Sequence, residues 1–373
     1  MEAYLDHAAT TPMRPEAVAA MLPFLTDRFG NPSGVHRVSR AARIALDEAR
    51  DVAAACLGAE PGEIVFTGGG TEADNLAIAG VHAVIGGRVV CGATEHHAVL
   101  HACEALGGST VAVDGDGLID LDALADALDH DVSVVSVMLA NNEVGTVQPL
   151  DAVAAVVRAR APRARLHTDA VQAFPWLDVA AIAAPADLVA VSAHKFGGPK
   201  GVGALVVRAG VHVAPLLHGG GQERGRRSGT HNVAGIVAMA AAMQATVETR
   251  AATVERVARL RDRLADGLLA VVPGAVETGA RSGKVAGNCH LRFPDVESEA
   301  LLLLLDAEGV CAAAGSACAA GAVDPSHVLT AMGLSGAEAA SSMRFSLGVT
   351  TTDDEVDLAL KTVPEAVARL RGA

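Results

Sequence analysis

The chain has 373 residues, 51% of them hydrophobic, only 2% aromatic, and a formal net charge of −14. That length calls for two domains of roughly 100–200 residues each. The apolar content excludes a disordered chain, and the acidic balance excludes nucleic acid as the main partner, because phosphates demand Lys and Arg.

The first residues, Met1-Glu2-Ala3-Tyr4-Leu5-Asp6-His7, lack the basic start and apolar run of a signal peptide. No segment reaches the ~18 apolar residues of a membrane span. The expectation is a cytoplasmic protein with no membrane partner. Six cysteines stand at 56, 91, 103, 289, 311 and 318 without a CxxC pair. They read as reduced thiols, mostly small buried residues.

Short apolar runs predict strands at 64–67, 88–92, 110–113, 133–139, 165–168, 188–192 and 204–207. Several are apolar throughout, as in strands buried on both faces. Helices fit between most of them. One is predicted over 121–128, with Leu121, Leu124 and Leu128 on one face and Asp120 as N-cap. An Ala-rich stretch over about 233–270 predicts one or two helices, and shorter elements follow Pro273-Gly274. This alternation predicts an α/β fold with a mostly parallel sheet, helices on both faces, and ligands beyond the carboxyl ends of the strands. The expected division is a large domain over 14–250 and a small α+β domain formed by 1–13 with 251–373.

Three segments follow predicted strands. Glu63-Ile64-Val65-Phe66-Thr67-Gly68-Gly69-Gly70-Thr71-Glu72 runs from a strand through three glycines into a helix. Free N–H groups at such a helix start bind anions, and glycine admits a phosphate. The segment is neither GxGxxG nor a P-loop. Leu166-His167-Thr168-Asp169 ends a buried strand with a carboxylate that needs a partner, such as a protonated pyridine nitrogen. Ser192-Ala193-His194-Lys195 places a lysine after another buried strand, where a desolvated amine can form a Schiff base. Taken singly, these are also a tight turn, a cap and a solvated lysine. Together they supply the parts of a pyridoxal phosphate site.

Thr94-Glu95-His96-His97-Ala98-Val99-Leu100-His101 adds an imidazole that can stack on a cofactor ring. Its rival reading is zinc, held by His97 and His101 one turn apart with Cys103 nearby. No HExxH motif and no further ligand cluster support the metal.

With these segments in place, the chain resembles the cysteine desulfurases of the NifS/IscS type, in the class V aminotransferase group. The likeness covers essentially the whole length. It includes Tyr4-Leu5-Asp6-His7-Ala8-Ala9-Thr10-Thr11-Pro12, Gly30-Asn31-Pro32-Ser33, Asn141-Asn142-Glu143-Val144-Gly145, His218-Gly219-Gly220-Gly221-Gln222-Glu223-Arg224, Arg227-Ser228-Gly229-Thr230, Gly315-Ser316-Ala317-Cys318 and Arg344-Phe345-Ser346-Leu347-Gly348.

The resemblance implies a type I, aspartate-aminotransferase-like fold with a seven-stranded sheet, pyridoxal 5'-phosphate as cofactor, and L-cysteine as substrate. It implies Lys195 as the Schiff-base lysine and proton carrier, Asp169 on the pyridine nitrogen, and His96 stacked on the ring as a catalytic acid or base. Gln172 and Asn142 would lie near the ring hydroxyl. Gly70, Thr71, Ser192 and His194 would hold the phosphate, and Thr230 would reach the phosphate of a second subunit in a homodimer. Arg344, with Asn142, would hold the substrate carboxylate. Cys318, in a Gly/Ala-rich segment, would carry sulfur as a persulfide to an acceptor protein of iron–sulfur assembly or tRNA thiolation. Ala319-Ala320 and Gly68-Gly69-Gly70 depart from the usual family residues without removing a functional group. The chain ends soon after Arg371, so a long docking tail is not expected. A selenocysteine lyase and a small-amino-acid aminotransferase of the same fold are the alternatives.

Overall fold

A computed structural model describes residues 2–314 and 325–372. The strands are β1 (Ala3–Tyr4), β2 (Ile64–Thr67), β3 (Arg88–Gly92), β4 (Ser109–Val111), β5 (Val132–Ser136), β6 (Arg165–Asp169), β7 (Leu188–Ser192), β8 (Gly203–Val207), β9 (Val276–Glu277), β10 (Asn288–Arg292), β11 (Val310–Cys311), β12 (Ala313–Ala314) and β13 (Ser342–Ser346). The helices are α1 (Pro15–Leu25), α2 (Arg37–Leu57), α3 (Gly70–Ile85), α4 (His97–Ala105), α5 (Leu121–Ala127), α6 (Leu150–Arg160), α7 (Val179–Ile182), α8 (Val233–Val271), α9 (Ser298–Ala307), α10 (His327–Ala331), α11 (Gly336–Ala340) and α12 (Asp353–Leu370).

Strands β2–β8 form one sheet in the order β2-β8-β7-β6-β5-β3-β4. All pairs are parallel except those made by β8, which runs antiparallel to β2 and β7. Only residues 193–202 separate β7 from β8, too few for the crossover that a parallel pair needs. The carboxyl ends of β2, β3, β5, β6 and β7 therefore share one edge of the sheet. Strands β5, β7 and β8 are buried at every residue, because apolar layers cover both faces. One layer joins Leu46 and Leu57 of α2, Leu124 of α5, Val153 and Val157 of α6, and Ile236 to Met243 of α8. The other joins Leu76, Ile78 and Val81 of α3 to Val99 and Leu100 of α4.

A second core gathers Leu5, Val257, Leu264 and Leu268 with Leu291, Phe293, Phe345, Val356 and Val363. It lies on the antiparallel sheet β12-β13-β10-β9. The helix α8 runs unbroken through position 250, its first half in one core and its second half in the other. Trp176 packs against both. The N-terminal strand β1 pairs with β11 in parallel, and Asp6 bridges to Ser346. The next residues, Ala8 to Thr11, are thereby led to the sheet edge described above.

The loop before α8 is tied to the large sheet by Glu223. Its carboxylate accepts two bonds from the Arg50 guanidinium, at 2.6 and 2.9 Å, one from the Phe66 N–H at 3.0 Å, and faces His231 Nε2 at 2.7 Å. Despite burial, these donors hold the Glu223 carboxyl down, from its ordinary 4.5 to about 2. A depressed carboxyl stabilises the fold above its unfolded pKa, and the contribution fades as pH falls from 4.5 toward 2. Glu223→Gln is expected to lower unfolding free energy at pH 7 by about 3 kcal/mol. Urea unfolding of both proteins should show that difference shrinking below pH 4.5.

Candidate active site

The three sequence segments and the His96 segment meet at the shared sheet edge. Gly70, Thr71, Asp74, His96, Asn142, Asp169, Gln172, Ser192, His194, Lys195 and Arg344 border one cavity of about 280 Å³. At its outer end, β2 gives way to Gly68-Gly69 and α3 begins at Gly70. Gly69 caps the helix without a side-chain bond, so the first-turn N–H groups remain available to a ligand. Its φ of 146° is a glycine conformation. A Cβ on Gly203 of the neighbouring β8 would stand 2.8 Å from the Gly69 carbonyl carbon, so glycine is required there too. Ser192 closes the same end, and Lys200 lies beside it. His194 Nδ1 lies 3.2 Å from Thr10 Oγ1, and crowding by Lys195 adds to burial in lowering the His194 pKa to about 4.

Asp169 ends β6, and its Oδ1 accepts the Val171 N–H at 2.8 Å. Burial raises its pKa to about 6, against the opposing pull of that N–H and of Lys195. A buried carboxylate in this state gains from a cationic neighbour. Lys195 follows β7 on a 3-10 turn, Ala193–Lys195. Its Nζ donates to the carbonyls of Ala8 at 2.6 Å and Ala9 at 2.8 Å. The Gln172 amide also donates to Ala8 O, at 2.8 Å.

His96 caps α4, its Nδ1 accepting the Ala98 N–H at 3.1 Å. That bond leaves the proton on Nε2. Burial, with Lys195 next in strength, lowers the His96 pKa to about 4, so the ring is neutral at pH 7. Arg344, on β13, is buried and reaches back to the N-terminal segment. Its Nη2 donates to Asp6 Oδ1 at 2.8 Å and its Nη1 to the Asn142 carbonyl at 3.0 Å. Its Nε is buried without a hydrogen-bond partner. The guanidinium is thus fixed at the cavity wall.

These residues fit pyridoxal phosphate by their own chemistry: a helix start cradled by glycine, a buried carboxylate awaiting a cation, a lysine amine and a neutral imidazole around one cavity. One expected residue is not brought into it. Thr230 is exposed and does not line the cavity of its own chain. Cys318 lies outside the described residues. The zinc alternative is not supported by placement. Cys103 turns toward the sheet, its Sγ facing the carbonyls of Val89 and Ser109 at 3.8 and 3.7 Å, while His101 is exposed.

Sequence reasoning missed the buried polar side chains beneath the cavity: Asp74 on α3, Glu95 before α4, Ser136 on β5 and His167 on β6. Their signal was present, since polar side chains in apolar strands need partners. What the sequence could not supply was which of them face each other.

The class V aminotransferase family model matches residues 3–359. The chain belongs to that family. This class V chain is 44% identical to cysteine desulfurase IscS of Methanosarcina thermophila, over 99% of its own length and 92% of the relative's. It is 45% identical to an IscS-like cysteine desulfurase of Mycobacterium tuberculosis, covering 100% of this chain and 98% of that one. Among solved structures it is similar to a NifS-like protein, with a TM-score of 0.93 and 34% identity over 99% of this chain and 100% of the other. It is also similar to a structure of SspA in complex with cysteine, with a TM-score of 0.80 and 32% identity over 94% of this chain and 100% of that one.

Proposed function

We propose that the chain is a pyridoxal-phosphate-dependent cysteine desulfurase that moves sulfur from L-cysteine to the Cys318 thiol and releases L-alanine. The observation that carries this reading is the convergence of Lys195, Asp169, His96 and Arg344 on one cavity. It occurs in a chain 44% identical, over nearly its whole length, to a cysteine desulfurase.

Pyridoxal phosphate, when bound, supplies the electron sink that lets the substrate carbons give up and take back electron pairs. The residues of the chain do the rest. The α3 N-terminus, Thr71, Ser192 and His194 would hold the phosphate. Asp169 would pair with the ring nitrogen and favour its protonated form, and the neutral His96 would lie against the ring. Gln172 and Asn142 would hydrogen-bond near the ring hydroxyl. Lys195 would hold the cofactor and carry the substrate's Cα proton. Arg344 holds the substrate carboxylate with a planar pair of N–H groups. The Cys318 thiolate attacks the substrate sulfur, forming an S–S bond as the C–S bond breaks. The electron pair left on that carbon takes a proton, and the product is the methyl group of alanine. The persulfide then passes to an acceptor protein of iron–sulfur assembly or tRNA thiolation.

Among the described residues that flank Cys318 in sequence, Ala313 pairs with Arg344 itself, and Ser326 donates from Oγ to Glu143 Oε2, next to Asn142. We further propose a homodimer, in which the exposed Thr230 completes the phosphate site of a second copy. The division into a large domain over 14–250 and a small domain from the remaining residues follows the two cores and belongs to the same proposal.

Cys318→Ala tests the reading. The variant should keep the absorption band of the bound cofactor and lose sulfide release from L-cysteine. Sulfide release at the parental rate would remove Cys318 from the mechanism. Arg344→Lys is expected to raise KM for L-cysteine about 10- to 100-fold, because a charged hydrogen bond is worth about 1.5–3 kcal/mol. Steady-state kinetics measures it.

A further inference from the structure

Beneath the cavity, four buried side chains form a line that the proposed reaction does not use. Asp74 Oδ1 lies 3.5 Å from His167 Nε2. His167 Nδ1 lies 2.8 Å from Ser136 Oγ. Ser136 Oγ lies 3.5 Å from Glu95 Oε2, and Glu95 Oε1 accepts the Met138 N–H. All four are 0–1% exposed. Asp74 Oδ1 and His167 Nε2 are both buried without a hydrogen-bond partner, and they stand 3.5 Å apart. One end of the line, Asp74, borders the cavity with Asp169. The other end, Glu95, is the residue before His96.

We propose that Asp74, His167, Ser136 and Glu95 act as one hydrogen-bonded wire that moves a single proton between the two carboxyls, so that Asp74 serves as a positioning residue that sets the charge beside Asp169 as the ring nitrogen of the cofactor takes or leaves its proton. The proposal rests on the cofactor reading above. The wire has two complete arrangements. In the first, Asp74 carries the proton and donates to His167 Nε2, His167 Nδ1–H donates to Ser136 Oγ, and the Ser136 hydroxyl donates to ionised Glu95. In the second, Glu95 carries the proton and donates to Ser136, the hydroxyl donates to His167 Nδ1, and Nε2–H donates to ionised Asp74. Each link passes one proton to the next, and no other species is consumed. Once Asp74 and His167 close the 3.5 Å between them, every member is satisfied in both arrangements, which buried polar groups require.

The surrounding charges favour the first arrangement in the cofactor-free protein. Burial, then Asp169 and Glu95, push the Asp74 carboxyl well up. Burial raises Glu95 to about 8, with Asp169 and Cys103 adding to it and the Met138 and Ser136 bonds opposing. The two carboxyls repel each other, so they ionise one at a time as pH rises, and the singly protonated pair is the state in which the wire moves its proton. Burial keeps the His167 ring neutral, with its pKa near 3. Lys195 is the cation that acts on Asp169 from the cavity side. A protonated ring nitrogen on Asp169 adds positive charge at the Asp74 end and favours the second arrangement.

The test is 15N NMR of the full-length protein labelled at histidine, with the His167 signals assigned from a His167→Gln variant. Without cofactor, His167 should be neutral with its proton on Nδ1. Adding pyridoxal phosphate should move the proton to Nε2. Ser136→Ala should still bind cofactor, judged by its absorption band, and lose the tautomer change. If that variant fails to fold, Glu95→Gln should show the same loss. A charged His167, an unchanged tautomer in the cofactor-bound parent, or a full switch in either variant would overturn the proposal. The cofactor-free tautomer tests the wire even if no cofactor binds, and the absorption band reports separately on the cofactor reading.

Discussion

Lys195→Ala is expected to lower alanine formation from L-cysteine by about 10⁴-fold or more, because one substitution removes both the amine that anchors the cofactor and the carrier of the Cα proton. The placement of Lys195 explains why no neighbour can replace it. It stands on the short turn after β7, and its Nζ is aimed by the carbonyls of Ala8 and Ala9. Gln172 also reaches Ala8 O, but an amide is no nucleophile. Lys200 borders the outer end rather than the inner cavity. The variant should lose the absorption band of lysine-linked cofactor while its circular dichroism matches the parent. Parental turnover in Lys195→Ala would refute the role.

Asp169→Asn is expected to reduce turnover by about 10²–10³-fold, the usual cost of removing one preorganised charge contact. The same change should make the cofactor-free protein more stable at pH 7. The Asp169 pKa is raised from 3.8 to about 6 by burial. A raised carboxyl favours the fold below its unfolded pKa, and that contribution is lost as pH rises through 6. Asparagine avoids the loss, so its advantage should appear above about pH 6 and vanish below about pH 4. Thermal unfolding of both apoproteins across that range measures it. A site residue that costs the empty fold stability and benefits the loaded one marks a functional carboxylate.

Much of this was legible in the sequence because buried strands are short, apolar and bounded by turns. The strands at 64–67, 88–92 and 188–192 fall on β2, β3 and β7 residue for residue. The predicted strand 133–139 appears as β5, ending at Ser136, although Val137 and Leu139 still donate to His167 and Asp169 across the sheet. The edge strand at 110–113 shifted to Ser109–Val111, where two of three residues are exposed and the apolar pattern is weakest. The Ala-rich stretch gave no break signal, and it is one helix of 39 residues.

The strand-end positions of Gly70, Asp169 and Lys195 were readable because a carboxylate or an amine is unusual after an apolar run. The wire beneath them was not. Its members come from α3, the loop before α4, β5 and β6, and only the sheet order β6-β5-β3 brings them together. Periodicity places a side chain on a face but does not say which partner meets it there.

The central claim is tested most directly by incubating the purified protein with L-cysteine, a reductant and added pyridoxal phosphate, and measuring alanine, sulfide and keto acid. The account predicts alanine and sulfide in equal amounts with no keto acid. No alanine from a protein that carries the bound aldehyde cofactor would contradict it and point to another substrate.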